Sequence, residues 1–225
     1  MGAARARSRF PATFDLPVCF GAACWTLSGL YFLGQALAQA ASARPYSLIT
    51  NVISDLGNTA CGPAVCSPWH GLMDATFIAV GLLHCAGAIT TQQAFPPGRL
   101  RAVSAALLAL AGVGLALAGA APENTDASVH IASAFLGLAS LNAGMITLGV
   151  TALPSTRWGG VLALAAGLVG GLGFLLFLMS LALSWPRGIT ERVADYPGAT
   201  MIVVLGVLLL AHGRAAAARA SRSVR

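Results

Sequence analysis

The stretch GGVLALAAGLVGGLGFLLFLMSLALS, residues 159–184, contains no charged residue over 26 positions. A hydrocarbon core of about 30 Å is crossed by about 20 helical residues, so this stretch is long enough to span a membrane. It must be a helix, because backbone groups cannot stay unpaired in lipid. The composition of the whole chain is also typical of a membrane protein, since 57% of its 225 residues are hydrophobic, 9% are charged and the mean hydropathy is +0.78.

Five further apolar segments have a comparable length. The six segments run at about 16–40, 70–92, 101–121, 130–152, 159–184 and 195–212. The last is short, so we expect Asp195, Tyr196 and Pro197 to form its first turn, where proline is tolerated. The sequence predicts an all-α integral membrane protein with a six-transmembrane-helix bundle over residues 16–213. Arg-rich tails at 1–15 and 214–225 flank the bundle.

The arginines predict how the bundle is oriented. All 13 basic residues are Arg. Ten lie on one side of the predicted topology: Arg5, Arg7, Arg9, Arg99, Arg101, Arg157, Arg214, Arg219, Arg222 and Arg225. The positive-inside rule then predicts two cytoplasmic termini. We expect such a bundle to lie in a bacterial inner (plasma) membrane. Because the basic residues lie at the ends of apolar segments and form no soluble basic face, the predicted partner is the lipid bilayer and not nucleic acid.

The first apolar run also has features of a cleaved signal peptide, since an Arg-rich start precedes it and Ala41-Ser42-Ala43 follows it. Its length, and its polar Tyr31, Gln35 and Gln39, favour a retained span. Together with Ser28 these polar residues form a stripe at helical spacing, which predicts that they face the bundle. Gly167 and Gly171 form a small-xxx-small pair that is typical of helix packing.

The first extracytoplasmic connection contains YSLITNVISDL, residues 46–56, which is amphipathic at the helical period. Pro45 suits the first position of a helix and Gly57 suits its end. We therefore expect a short amphipathic helix on the membrane surface. Its polar face, with Asn51, Ser54 and Asp55, would point either to water or to the mouth of the bundle.

Cys61 and Cys66 follow this segment, with Gly62 and Pro63 between them. Three interpretations are open: a disulfide, two free thiols, or metal ligation together with His70. An oxidising compartment and a Gly-Pro turn that can close a short ring favour the disulfide.

Three predicted connections bring His, carboxylate and Arg residues to this same face. His70 and Asp74 are four apart on one side of the second helix, so both could contact one ion, or Asp74 could orient the imidazole. His130 begins the fourth helix after Glu123, Asn124 and Asp126, and the last connection supplies Arg187, Glu191, Arg192, Asp195 and Tyr196. Ionisable groups at the edge of a membrane span are candidates for a functional site.

Four stretches resemble a known family in order and content: YSLITNVISDLGNTACG, VCSPWHGLMDATF, PENTDASVHIASAFLG followed by Asn142, and GITERVADYP. The resemblance is to the bacterial multi-pass membrane family catalogued as domain of unknown function 998. It covers the chain from about Arg44 to the sixth helix and implies a six-helix membrane domain with polar residues gathered near one face. Asp74 departs from the Asn that is usual in the family. The matching positions are Asn51, Ser54, Asp55, Cys61, Cys66, His70, Glu123, Asn124, His130, Glu191, Arg192 and Tyr196.

Two classes of function fit these residues. The first is a hydrolase-type enzyme on a lipid or isoprenoid head group, either with a divalent metal such as zinc or by metal-free acid–base chemistry. The predicted catalytic residues are His70, His130, Asp55, Glu123 and Glu191. The predicted substrate-binding residues are Asn51, Ser54, Asn124, Arg192 and Tyr196. The predicted metal ligands are His70, His130 and Asp74. The second class is a non-catalytic lipid binder, transporter subunit or assembly factor, whose polar cluster is a structural salt-bridge network.

Overall fold

A computed structural model describes residues 16–183 and 185–223, which are helical and contain no strand. The helices are α1 (Leu16–Leu27), α2 (Leu30–Ala40), α3 (His70–Thr91), α4 (Arg99–Ala120), α5 (Ala127–Ala152), α6 (Arg157–Leu183) and α7 (Arg187–Ser223). Short 3₁₀ helices cover Ile53–Gly57 and Gln92–Ala94. The predicted tail at 1–15 lies outside the described residues, whereas most of the predicted tail at 214–225 continues α7.

Six helices in the described residues are long and apolar enough to cross a membrane. They are Leu16–Ala40, His70–Ala94, Arg99–Ala120, Ala127–Ala152, Arg157–Leu183 and Arg187–Ala215. The predicted fold class is therefore confirmed. α1 and α2 together make the first span, and the polar stripe along it faces inward as predicted, with Ser28, Tyr31 and Gln35 buried.

The six spans close into a ring. Each span packs against its neighbours in the chain, and α1 packs against both α3 and α7. Small residues allow close approach between some of these helices, since a Cβ added at Gly81 of α3 or at Gly112 of α4 would meet the backbone of the other helix. Such approach is typical of membrane helices, where packing and not hydrophobicity drives association.

The sixth span begins earlier than the sequence predicts. α7 begins at Arg187, so Pro197 lies well inside the helix and not in its first turn. Proline inside a helix removes a backbone donor and displaces the preceding turn. Asn142 of α5 donates a 2.9 Å hydrogen bond to the carbonyl of Ala194, close to this interruption. A side chain from a neighbouring span thus satisfies the helix backbone near the proline, which allows membrane helices to contain one.

One end of the bundle, here called the polar end, carries the connections 41–69 and 121–126 and the start of α7. Connection 41–69 does not form the single amphipathic helix expected over 46–56. The backbone N–H of Asn51 bonds to the carbonyl of Ser47, which closes one turn, and only Ile53–Gly57 is helical. The carbonyls that would continue a helix are used elsewhere, since Ile49 accepts a 3.0 Å bond from the N–H of Ile189 at the start of α7.

The second half of connection 41–69 is held by covalent and buried polar contacts. Cys61 and Cys66 form a disulfide, which confirms the interpretation that the sequence favours. The buried hydroxyl of Ser67 donates a 2.7 Å hydrogen bond to the carbonyl of Leu56. These contacts fix the chain between the 3₁₀ helix and the first residue of α3, His70.

Candidate functional site

Two adjoining cavities lie at the polar end. The inner cavity, of about 60 Å³, is lined by the polar residues Tyr31, Ser54, His84, His130, Glu191 and Asp195 among apolar side chains. The lateral groove, of about 380 Å³, is lined at its polar side by Ser54, Glu123, Asn124, His130, Arg187 and Glu191. Its apolar lining includes Ile131, Phe135, Phe177 and Leu181. Ser54, His130 and Glu191 line both cavities and so form a shared wall between them.

His130 is held in one orientation by the end of α4. Its Nδ1 lies 2.9 Å from the carbonyl oxygen of Ala121 and 3.1 Å from that of Ala118. Carbonyl oxygens only accept, so Nδ1 carries the proton and donates to them. In the neutral ring Nε2 then keeps its lone pair. The histidine side chain is buried and contributes to both cavities, so this lone pair is the acceptor it can offer to a ligand.

Neutral groups hold the three carboxyl groups around the shared wall. The hydroxyl of Tyr31 donates a 2.6 Å bond to Asp195, and the N–H of Ile53 donates a 2.5 Å bond to Glu191. The hydroxyl of Ser54 donates a 2.9 Å bond to Glu123. Each bond ties a residue of the first span or its following connection to a residue more than sixty positions later in the chain.

The described residues do not join these charges into a salt-bridge network. Among them, the only basic and acidic side chains within 4.0 Å of each other are those of His70 and Asp74, at 3.6 Å. Removing a carboxylate from water without a paired cation is costly. The carboxyl cluster is therefore not explained by ion pairing between the loops.

Glu123 shows the effect of this environment outside the spans. Burial raises the pKa of its carboxyl group, and the nearby Asp55 raises it further. The hydrogen bond from Ser54 acts in the opposite direction, because it stabilises the charged form. Since burial is the largest of these effects, the protonated form of Glu123 persists to higher pH than in an exposed Glu.

Arg192 makes hydrogen bonds within the protein, although the sequence suggests a substrate-binding role. Its Nη1 donates to the carbonyls of Leu48, Asn51 and Gly188 at 2.8–3.1 Å. Its Nη2 donates a 2.6 Å bond to the hydroxyl of Tyr46. The guanidinium group thus fastens connection 41–69 to the sixth span. Burial raises the pKa of Tyr46 despite this nearby cation.

Several other predicted binding residues also serve contacts within the protein. Asn51 accepts a bond from the N–H of Ser47 and donates a 2.8 Å bond to Asp55, so both ends of its amide are used. Asn124 bonds twice to Thr59, although it still borders the lateral groove. Tyr196 donates a 2.8 Å bond to Gln35, away from both cavities.

The predicted metal ligands do not gather at one point. His70 and Asp74 line neither the inner cavity nor the lateral groove, whereas His130 lines both. In the part of the chain that the structure describes, no group of three or more His, Cys, Asp or Glu side chains is placed to hold a metal ion. The arrangement does not fit the zinc site that the sequence suggests, because such a site needs at least three protein ligands.

The structure adds residues that the sequence did not place in the predicted site. Tyr31 and Asp195 form a buried pair in the inner cavity, and His84 lines the same cavity deeper in the bundle. The polar stripe on the first span predicted that Tyr31 faces the bundle. Its partner could not be identified, because the two residues are 164 positions apart.

A family model described as "Protein of unknown function (DUF998)" matches residues 26–221, in agreement with the resemblance seen in the sequence. Neither a curated protein nor a solved structure matches the chain.

Proposed function

The chain belongs to the DUF998 family, and we propose that this member is a membrane-embedded, hydrolase-type enzyme that acts on the head group of a lipid by acid–base chemistry. The observation that carries the proposal is the shared wall. Ser54, His130 and Glu191 face an interior cavity on one side and a groove bordered by apolar side chains on the other.

The lateral groove suits an amphipathic molecule. Polar side chains from the connections and helix starts line it together with Phe135, Phe177 and Leu181 of α5 and α6. Binding sites for small molecules commonly combine apolar walls with a few convergent polar groups. A lipid lying in this groove would bring its head group to the shared wall while its chain contacts the aromatic side chains.

His130 supplies a candidate general base. With Nδ1 committed to two carbonyls, Nε2 can accept a proton from a water molecule. In the proposed step the water oxygen forms a bond to the ester centre of the head group, and its proton moves to Nε2. The bond from that centre to the leaving oxygen then breaks.

Glu191 supplies the proton that the leaving oxygen needs. One of its carboxyl oxygens accepts the N–H of Ile53, which orients the group and leaves the other oxygen for a ligand. In the described residues no cation within 4.0 Å pairs with Glu191, so a neutral, proton-donating form is not opposed by an ion pair. The buried pair of Tyr31 and Asp195 lies behind it in the same cavity.

In this proposal the polar end faces the outside of a bacterial plasma membrane. Arg99, Arg101 and Arg157 lie in the first turns of α4 and α6 at the opposite end, as the positive-inside rule requires of the cytoplasmic side. The disulfide between Cys61 and Cys66 lies at the polar end, and disulfides persist in oxidising compartments.

Binding of a lipid without turnover is the second candidate. Several residues that the sequence predicts to bind substrate instead make hydrogen bonds within the protein, which favours this candidate. They are Asn51, Arg192 and Tyr196. The two candidates differ in one observable quantity, the release of head group from a bound lipid.

The experiment uses the full chain in nanodiscs with a panel of phospholipids and polyprenyl phosphates, and mass spectrometry detects released head groups. We expect turnover by the unaltered protein and a loss of at least about 10²-fold in Glu191→Gln, the range that general acid–base catalysis contributes. Asp126→Asn is the matched carboxyl control, because Asp126 caps α5 outside the groove and Asn caps equally well.

Two results would contradict the proposal. Binding without head-group release for every lipid in the panel would reject the enzyme and leave the lipid binder. Full turnover in Glu191→Gln would reject the assigned acid. Melting temperature and elution volume are measured for both variants, so a loss through misfolding is recognised. If Glu191→Gln does not fold, Glu191→Asp, which keeps the carboxyl group but shortens its reach, takes its place and should also slow turnover.

A further inference from the structure

The lateral groove opens toward lipid, between the fourth and fifth spans. Ile131 of α5 and Leu181 of α6 border it and are 54% and 52% exposed. In a membrane span, exposed apolar side chains of this kind face hydrocarbon and not water. Phe135, which lines the groove, meets Phe174 of α6 edge to face, with ring centroids 5.6 Å apart, and this contact joins the two helices beside the groove.

Arg187 stands at the polar rim of this opening. It is the first residue of α7, it is exposed, and it lines the groove. In the described residues no carboxylate lies within 4.0 Å of it, although Glu191 is one turn away on the same helix. Glu191 instead accepts the backbone N–H of Ile53. The guanidinium charge of Arg187 is therefore not neutralised by a neighbouring side chain.

The balance of charge in the groove selects among anionic lipids. One cation, Arg187, shares the groove with two carboxyl groups, Glu123 and Glu191. A phosphodiester carries one negative charge, which one Arg matches in a bidentate contact. A phosphomonoester carries about −1.5 to −2 at neutral pH, so it would meet both carboxyl groups with an excess of negative charge.

We infer that the lateral groove is an entry site for a glycerophospholipid of the adjoining leaflet. The phosphodiester binds Arg187, and the acyl chain lies along Phe135, Phe177 and Leu181. The lipid then reaches the shared wall sideways, without leaving the membrane. This inference rests on the proposed function for its choice of substrate, but lipid binding in the groove requires no turnover.

The test uses the full chain in nanodiscs that contain a phosphatidylglycerol with a photoactivatable diazirine near the glycerol end of its acyl chain. After irradiation, mass spectrometry measures labelling at Ile131–Phe135 and at Phe177–Leu181, relative to labelling at Leu82. Leu82 is a 61% exposed apolar residue of the second span and reports ordinary contact with surrounding lipid. We expect groove labelling to exceed that at Leu82 and to fall about tenfold in Arg187→Gln, as the loss of a charge-assisted bond predicts.

The matched control is Arg99→Gln, since Arg99 is likewise exposed and begins α4 at the opposite end of the bundle. It should leave groove labelling unchanged. Unlabelled phosphatidylglycerol should compete for the groove, whereas a polyprenyl monophosphate should compete weakly. Equal labelling at Leu82 and the groove, no effect of Arg187→Gln, or stronger competition by the monophosphate would overturn the inference.

The outcomes separate this inference from the proposed function. Groove labelling without head-group release supports the entry site and rejects the enzyme. Head-group release without preferential labelling of the groove supports the enzyme and rejects this route.

Discussion

The hydroxyl of Ser54 donates a 2.9 Å hydrogen bond to Oε2 of Glu123 and so joins connection 41–69 to the connection that precedes α5. The two residues lie side by side on the polar side of the lateral groove. Loop residues thus build part of the groove, and the other part consists of side chains from the spans.

Glu123→Gln should remove a pH dependence from the stability of the protein. Burial raises the pKa of Glu123 in the folded state above that in the unfolded chain. Between these two pKa values the folded state binds more protons, so the free energy of unfolding decreases as pH rises. This contribution is fully present below about pH 4.3 and is lost as the pH rises through the folded-state pKa.

The measurement is the melting temperature in detergent from pH 4 to pH 8, taken as the difference between the unaltered protein and Glu123→Gln. The unaltered protein should lose stability relative to the variant as the pH rises. A flat difference, or one of opposite sign, would show that Glu123 has no raised pKa.

The pair of Tyr31 and Asp195 should contribute to stability as a unit. Each group is buried and is the hydrogen-bond partner of the other, so Tyr31→Phe or Asp195→Ala leaves a buried polar group unpaired. Each change should lower the free energy of unfolding by about 1–3 kcal/mol. The double variant should lose clearly less than the sum of the two, because the interaction is removed only once. Denaturant unfolding of all four proteins measures the coupling, and strict additivity would contradict it.

Arg192→Lys should loosen connection 41–69 from the sixth span. Lysine cannot reproduce the planar set of bonds to the carbonyls of Leu48, Asn51 and Gly188. The free energy of unfolding should decrease by about 1–3 kcal/mol. Arg187→Lys is the control, since this exposed residue should change stability by less than about 0.5 kcal/mol. Equal effects of the two substitutions would argue against an anchoring role for Arg192.

Gly167 and Gly171 of α6 should respond differently to alanine. A Cβ at Gly167 would lie 2.7 Å from the backbone nitrogen of Ile146, whereas a Cβ at Gly171 would meet nothing within 4 Å. Gly167→Ala should therefore destabilise by about 1–3 kcal/mol through overpacking. Gly171→Ala should be neutral or should stabilise the helix by up to about 1 kcal/mol. Thermal unfolding of the two variants in one detergent tests this, and a loss in Gly171→Ala equal to that in Gly167→Ala would be inconsistent with the packing.

Patterns that depend on neighbours in the chain were predictable from the sequence. The lengths of the apolar segments predicted the six spans, and the turn residues between Cys61 and Cys66 favoured the disulfide. The predicted site is partly assembled, since Ser54, Glu123 and His130 meet in the lateral groove. Ser54 and Glu123 lie in connections and His130 lies in the first turn of a span, all at the same end of the bundle, so topology alone brings them close.

Features that depend on distant partners were not predictable. The periodicity of 46–56 suits a helix. Arg192, however, lies more than 140 positions away and donates hydrogen bonds to carbonyls of this segment. Pro197 suggested the start of a helix, but it lies inside α7. The hydrogen bond from Asn142 to the carbonyl of Ala194, near this proline, cannot be predicted from local sequence. Tertiary hydrogen bonds overrode local propensity in both places.

The role of His130 as the base is measured by comparing His130→Gln with His212→Gln, in nanodiscs of the lipid that the unaltered protein turns over. His130 lines both cavities, whereas His212 is exposed near the far end of the sixth span, Arg187–Ala215. With folding verified by melting temperature, head-group release should fall at least about 10²-fold in His130→Gln and stay unchanged in His212→Gln. A folded His130→Gln variant with the full rate of release would show that His130 is not the base and that the shared wall is not the catalytic site.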